Sequence, residues 1–298
     1  MQNLNVEQSF KFSPISFSWV AIHPQPKGVV QFIGGAFFGT FPNIFYRYLL
    51  KQIFLEGYTV VALPFRFTFR HWSVAIGLLR EQETLRPLLA QRAKELGYDP
   101  SIYGDSSCYQ WLGHSLGCKY IALLELLAEW SEDIDQERRQ IEKNTKKSDA
   151  QLKQIQESVK GLSISIKDQA SLLMAPDISN TQDAIQIPLL PEFLDTIGLG
   201  VLPTKQETFD LIEESSLFNL ARMISFDKDQ IAGNEKAPLN SDNTVRMLSK
   251  ILGDKLLHKE IAGKHLRPLG LELGNSIAGP IAPPPKELVP LVLKFLSL

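Results

Sequence analysis

Cysteine is scarce in this chain: two among 298 residues, Cys108 and Cys118. Two thiols make neither a disulfide framework nor a metal-ligand spacing, and they fit a reducing compartment. Cys118 reads as a small buried apolar residue rather than a nucleophile. A cationic excess is also missing. Lys and Arg number 31 against 33 Asp and Glu, for a formal net charge of −2, and no basic stripe stands out. That argues against nucleic acid as a partner. No apolar run reaches the ~18 residues a spanning helix needs. Met1 to Glu7 offers neither a basic start nor an apolar core, so no signal peptide is expected. The expectation is a soluble cytoplasmic protein. Ligand clusters for a metal are absent, as are the Lys-Ser/Thr of a phosphate loop and the glycine spacing of a dinucleotide site. Neither metal nor cofactor is therefore expected.

What is present suits one large α/β domain spanning 1–298, with 44% hydrophobic residues to fill its core. Val29-Val30-Gln31-Phe32-Ile33 is nearly all apolar and suits a strand buried on both faces. Ser16 to Ile22 alternates and reads as an early edge strand. Thr59–Leu63, Tyr109–Leu112, Ala170–Met174, Ala221–Phe226 and Leu256–Ile261 read as further strands. Helices fall between them. One opens at Pro42, runs to about Leu55 and is closed by Gly57. Another runs from His71 to Leu96, with Pro87 breaking or kinking it and Gly97 as its stop. Cys118–Trp130, Asn243–Leu252 and an amphipathic Lys286–Leu298 follow. Strands and helices in alternation predict a mostly parallel sheet with crossover helices on both faces.

Two segments depart from that rhythm. Residues 131–167 are dominated by Glu, Asp, Lys, Arg and Gln, and read as an exposed helical insertion. It is either a solvated excursion or, over 131–160, an arm that docks a protein partner. Residues 177–216 are rich in Pro, Leu and Phe, and read as a small helical cap over a greasy site or as plain core helices. Leu190 and Phe193 are its candidate pocket residues, and Thr204-Lys205-Gln206-Glu207 is a capping box that opens a helix.

The stretch that carries chemistry is Tyr109-Gln110-Trp111-Leu112-Gly113-His114-Ser115-Leu116-Gly117. A short apolar strand runs into Gly-x-Ser-x-Gly and straight on into a helix, the context of a nucleophile elbow. The bare pattern recurs by chance in roughly one chain in ten of this length, so the flanking strand and helix carry the weight. Small residues two before and two after the serine keep a Cβ from colliding with the neighbouring strand or helix. The helix N-terminus and the N–H of Leu116 then favour developing negative charge. A second near-match, Gly274-Asn275-Ser276-Ile277-Ala278-Gly279, has the wrong spacing and reads as part of a Gly/Pro-rich loop.

A serine hydroxyl needs a base, and the base needs a group to orient it. The elbow architecture sets the chain order as serine, acid, histidine. After Ser115 the histidines are His258, inside a strand, and His265, in the loop beyond it; His265 is favoured. Asp229 and Asp227 follow the late strand, and Asp177 follows the strand before. The second oxyanion donor falls on Gly34-Gly35-Ala36-Phe37, with Ala36 or Phe37 supplying the N–H. His114, the variable residue of the elbow, and Phe38 complete the candidate pocket.

The Gly113-to-Gly117 elbow, the Gly-Gly-Ala loop, Asp229 and His265 together resemble the α/β-hydrolase superfamily. Phe226-Asp227-Lys228-Asp229-Gln230-Ile231 resembles its acid loop, with Asp229 at the acid position. More narrowly, Trp111 to Tyr120 is similar to an uncharacterised branch from cyanobacteria and plastids that carries a domain-of-unknown-function label. The resemblance implies the α/β-hydrolase fold and no particular substrate. The expected function is a serine hydrolase that cleaves an ester or thioester with an apolar part. The alternatives are a non-catalytic scaffold that binds a lipid, pigment or partner, and an acyltransferase.

Overall fold

The computed structural model describes residues 6, 7, 9–129, 157–159, 161, 162, 166–178, 201–215, 221–240, 243–273, 276–278 and 286–298. Eight strands form one sheet: β1 (Ser13–Ile15), β2 (Ser18–Ala21), β3 (Gly28–Ile33), β4 (Tyr58–Leu63), β5 (Tyr109–His114), β6 (Ser171–Met174), β7 (Ala221–Phe226) and β8 (Leu257–Ile261). Their order is β1-β2-β4-β3-β5-β6-β7-β8. From β4 to β8 every pairing is parallel, while β2 runs antiparallel to both β4 and β1. The inner strands β3 and β4 are buried at every position, as their near-continuous apolar runs require.

The described helices are α1 (Pro42–Phe45), α2 (Arg47–Leu55), α3 (His71–Glu95), α4 (Leu116–Glu129), α5 (Lys205–Glu214), α6 (Thr244–Leu252) and α7 (Leu288–Leu296). They form two groups. The α2 helix packs on β4 and against α7, while α3 packs on α4, which packs on α5, which packs on α6. Chirality explains the split. The chain moves one way along the sheet from β3 to β4 and the other way from β4 onward, and right-handed crossovers put those connections on opposite faces. The connections leaving the neighbouring strands β3 and β5 therefore run in opposite directions, and there Ile33 lies opposite Gly113. The crevice beyond their carboxyl ends is the switch point where such sheets bind ligands. The Gly34–Phe38 loop and the serine turn both emerge there.

Several expectations needed revision. The predicted Pro42–Leu55 helix is two helices, parted at Tyr46 (φ −112°), whose ring is fully buried. Pro87 does not break its helix, which runs unbroken from His71 to Glu95. The buried Leu85, Leu89 and Ala93 lock that stretch to the core, and such packing outweighs the ~3 kcal/mol intrinsic cost of proline. The closing helix presents Leu288, Val292, Phe295 and Leu296 to the interior, with Leu291 only half-buried. Its last turn is capped from the sheet, where Tyr58 Oη and Gln110 Nε2 both donate to the Leu296 carbonyl at 2.9 Å. Ser276–Ala278 is not loop: it pairs antiparallel with Leu271–Leu273 in a separate two-stranded sheet. Alternation of apolar and polar residues in Leu271-Glu272-Leu273 suits a strand. The Thr204–Glu207 capping box is fully formed. Most of 131–167 and of 177–216, including Leu190 and Phe193, lies outside the described residues.

Candidate active site

Ser115 sits between the end of β5 and the first residue of α4, with φ +54°. A non-glycine residue pays for that left-handed conformation and holds it only where the surroundings fix the turn. Here they do. Ser115 N–H donates to Met174 O at 3.0 Å, and Ser115 O accepts from Cys118 N at 3.0 Å and from Asp177 N at 3.2 Å. The flanking glycines meet the need read from the sequence. A Cβ on Gly113 would lie 2.8 Å from Ile121 Cδ1 and 3.0 Å from Cys118 N, and one on Gly117 would press into the end of β3.

His265, in the turn after β8, reaches Ser115 with its Nε2 2.7 Å from the serine Oγ. Its Nδ1 lies 2.8 Å from Asp229 Oδ2. A carboxylate can only accept, so Nδ1 carries the proton and Nε2 accepts from the serine hydroxyl. Asp229 is buried, and its other oxygen accepts from Ile231 N at 2.8 Å and Ala232 N at 3.0 Å. The rival carboxylates are placed elsewhere. Asp227 Oδ1 accepts from Gly263 N at 2.9 Å, tying the acid loop to the histidine loop. Asp177 lies on the cavity wall.

Ser115 and His265 open onto a cavity of about 210 Å³. Its apolar wall includes Phe37, Phe38, Phe67, Val201, Ile231 and Leu266. Ala36 and Leu116, the residues read as oxyanion donors, line it too, as does His114. The sequence reading did not single out two further groups. His71, at the start of α3, is buried in the cavity wall; burial first and the nearby Lys119 charge second push it down to about 2, so it is neutral. Tyr46 is the other. Its hydroxyl lies 2.8 Å from His114 Nδ1 and accepts from Gly35 N at 2.8 Å, and His114 Nε2 lies 2.9 Å from His265 O. Nothing in a linear reading marks a tyrosine 69 residues before the serine, because its place depends on the break between α1 and α2.

His258 offers a useful contrast. Its Nε2 lies 2.8 Å from Ser225 Oγ and its Nδ1 3.2 Å from Glu235 Oε1, a second serine–histidine–acid chain. Ser225, however, lies within β7 and is wholly buried. It has no positive φ, and it lines none of the described cavities. Hydrogen-bond geometry alone does not make a nucleophile; the turn that lifts Ser115 into a cavity is the difference. Among the described residues no cluster of three His, Cys, Asp or Glu could hold a metal ion, and no helix is long and apolar enough to cross a membrane.

The sheet order, the strand–turn–helix at Ser115 and the switch-point cavity define an α/β-hydrolase fold. The comparisons agree. A family described as a protein of unknown function (DUF1350) matches residues 11–134. None of the curated proteins matches the chain. Among solved structures, an esterase from Thermogutta terrifontis with butyrate bound is similar at 13% identity. The match covers 97% of this chain and 92% of that one, with a TM-score of 0.52. The same esterase with propionate bound gives 14% identity, 98% and 94% coverage and a TM-score of 0.51. A candidate carboxylesterase from Lactobacillus plantarum gives 13%, 97% and 98%, and 0.50. At these identities the likeness concerns the fold.

Proposed function

We propose that this protein is a serine hydrolase acting on a small-molecule ester or thioester with an apolar acyl or alcohol part. His265 removes the hydroxyl proton of Ser115 as its Oγ attacks the carbonyl carbon. Asp229 holds the imidazole and stabilises its charged form. The N–H groups of Leu116 and of Ala36 or Phe37 receive the oxyanion. The imidazolium then protonates the leaving group, and water, activated by His265, releases the acyl group. An acceptor other than water would make the same site an acyltransferase. Val201, within the segment read as a cap, lies in the cavity wall.

The observation that carries this reading is the unbroken chain from Ser115 through His265 to Asp229 at an apolar cavity. The solved structures with the same fold include an esterase with butyrate bound, which is consistent with a short apolar acyl group. A fluorophosphonate probe tests it directly. The wild type should be labelled, and Ser115→Ala and His265→Ala should not be, with their melting temperatures little changed. A folded wild type that resists the probe and hydrolyses none of a series of nitrophenyl esters of graded length would overturn it.

A further inference from the structure

The elbow histidine and the tyrosine beneath it join the two halves of the candidate machinery. Consider the bonds in turn. The carbonyl of His265 can only accept, so the 2.9 Å contact fixes the proton of His114 on Nε2. His114 Nδ1 is then an acceptor, and the donor at 2.8 Å is the Tyr46 hydroxyl. That hydroxyl in turn accepts from Gly35 N. Every member has one available role, so the chain runs in one direction: Gly35 N–H to Tyr46, Tyr46 O–H to His114, His114 N–H to the backbone of His265. Tyr46 and His114 are both fully buried, which shields these bonds from exchange with water.

The two ends of the chain are the parts whose mutual position matters. At one end, Gly35 immediately precedes Ala36, and its own N–H is taken by Tyr46, leaving Ala36 or Phe37 as the loop's donor. At the other end stands the main chain of the histidine that meets Ser115. The glycines of the loop fit the same arrangement. A Cβ on Gly34 would come within 2.8 Å of Tyr46 Cε2, and one on Gly35 within 3.0 Å of Ser115 Cβ and 3.3 Å of His114 Nδ1. They give room to Tyr46 and the elbow.

We infer that Tyr46 and His114 are positioning residues: together they set the oxyanion loop and the base loop in register across the serine turn. The inference rests on the hydrolase reading above. It goes beyond that reading by giving the variable residue of the elbow, and a residue far from it in sequence, a defined share in transition-state alignment.

The test uses the rate at which a fluorophosphonate labels Ser115. In that reaction Oγ bonds to phosphorus, His265 takes the proton, fluoride leaves, and the phosphoryl oxygen occupies the oxyanion site. Tyr46→Phe and His114→Gln should each label roughly 10- to 100-fold more slowly than wild type, the scale of a small misalignment. The double variant should be no slower than the slower single, because each breaks the same chain. With an ester substrate, kcat should fall while KM holds. Tyr103→Phe is the matched control. It also removes a buried tyrosine hydroxyl, one 2.8 Å from Thr59 Oγ1. It should lower the melting temperature and leave labelling unchanged. Nitrogen-15 spectra of the wild type, which need no variant to fold, should show His114 as the Nε2–H tautomer. Labelling of Tyr46→Phe at the wild-type rate, additive losses in the double variant, or an Nδ1–H tautomer would overturn the inference while leaving the hydrolase reading intact. A folded wild type that never labels would instead remove the hydrolase reading, and this role with it.

Discussion

Gly117→Ala is a small change with a large expected consequence. The single added methyl points into the end of β3. It would press against Ile33 O, with Gly34 O at 2.7 Å and Ile33 C at 2.8 Å. Ordinary contact begins near 3.4 Å, so Gly34 O alone must retreat by 3.4 − 2.7 = 0.7 Å. These are backbone atoms, of Ile33 at the end of a strand paired on both sides and of Gly34 just after it, so no side-chain rotation can absorb the displacement. Overpacking of this kind costs about 1–3 kcal/mol, and the rigid surroundings place this case at the upper end. At about 2.1 cal/mol/K of unfolding entropy per residue, a chain this long loses about 5 °C of melting temperature for ~3 kcal/mol. Function should suffer further, because the displaced backbone leads straight into the loop that carries Ala36. A shift approaching 1 Å there can cost about 100-fold in rate. Calorimetry and fluorophosphonate labelling measure the two effects. Gly77→Ala supplies the control: a Cβ there meets nothing within 4 Å inside a long helix, so the same substitution should stabilise by roughly 0.5–1 kcal/mol. If Gly117→Ala melted and labelled like wild type, the close approach of elbow and strand would be refuted.

The remaining predictions probe the turn, the acid and the buried histidines. Because Ser115 has φ +54°, Ser115→Gly should be more stable than Ser115→Ala by about 1 kcal/mol, the reverse of the usual order; denaturant melts with alanine ahead would refute the strained turn. Asp229→Asn should lower turnover by about 10²- to 10⁴-fold, whereas Asp227→Ala, which removes the acceptor of Gly263 N, should act mainly on stability. Equal losses of activity in the two would contradict the geometry. Burial lowers His71 to about 2 and His114 to about 3, from 6.5 in the unfolded chain. Between those values the unfolded state binds protons that the folded state refuses, so stability is complete above pH 6.5 and falls as the pH drops. At pH 5 each histidine contributes a loss of about 2 kcal/mol, about 4 kcal/mol together. His23 and His258, also lowered by burial, act in the same direction. Urea melts at pH 7.5 and 5 that gave equal stabilities would refute this.

Much of the sheet was legible because its signals are local. Apolar runs such as Val29–Ile33 and Thr59–Leu63, bounded by turns, leave few options but buried strands. The glycines around Ser115 declare a tight turn without any need to know what surrounds it. The Thr204 capping box is a matter of four consecutive residues. The failures share a cause. Pro87 argues locally for a break, but burial of Leu85, Leu89 and Ala93 overrides it. The split at Tyr46 and the pairing of Leu271–Leu273 with Ser276–Ala278 depend on neighbours that composition does not reveal.

The sequence by itself determined the alternation of strands and helices, the turn at Ser115 and a short list of partners for it, since each rests on the conformational preferences of adjacent residues. Only the tertiary structure shows which of those candidates meet. It put His265 rather than His258 beside Ser115, and Asp229 rather than Asp227 or Asp177 beside His265. It also brought Tyr46 and Gly35 to His114. Those meetings span up to 150 residues of chain. They are fixed by where the sheet reverses direction and how its loops pack, information that no window of sequence holds.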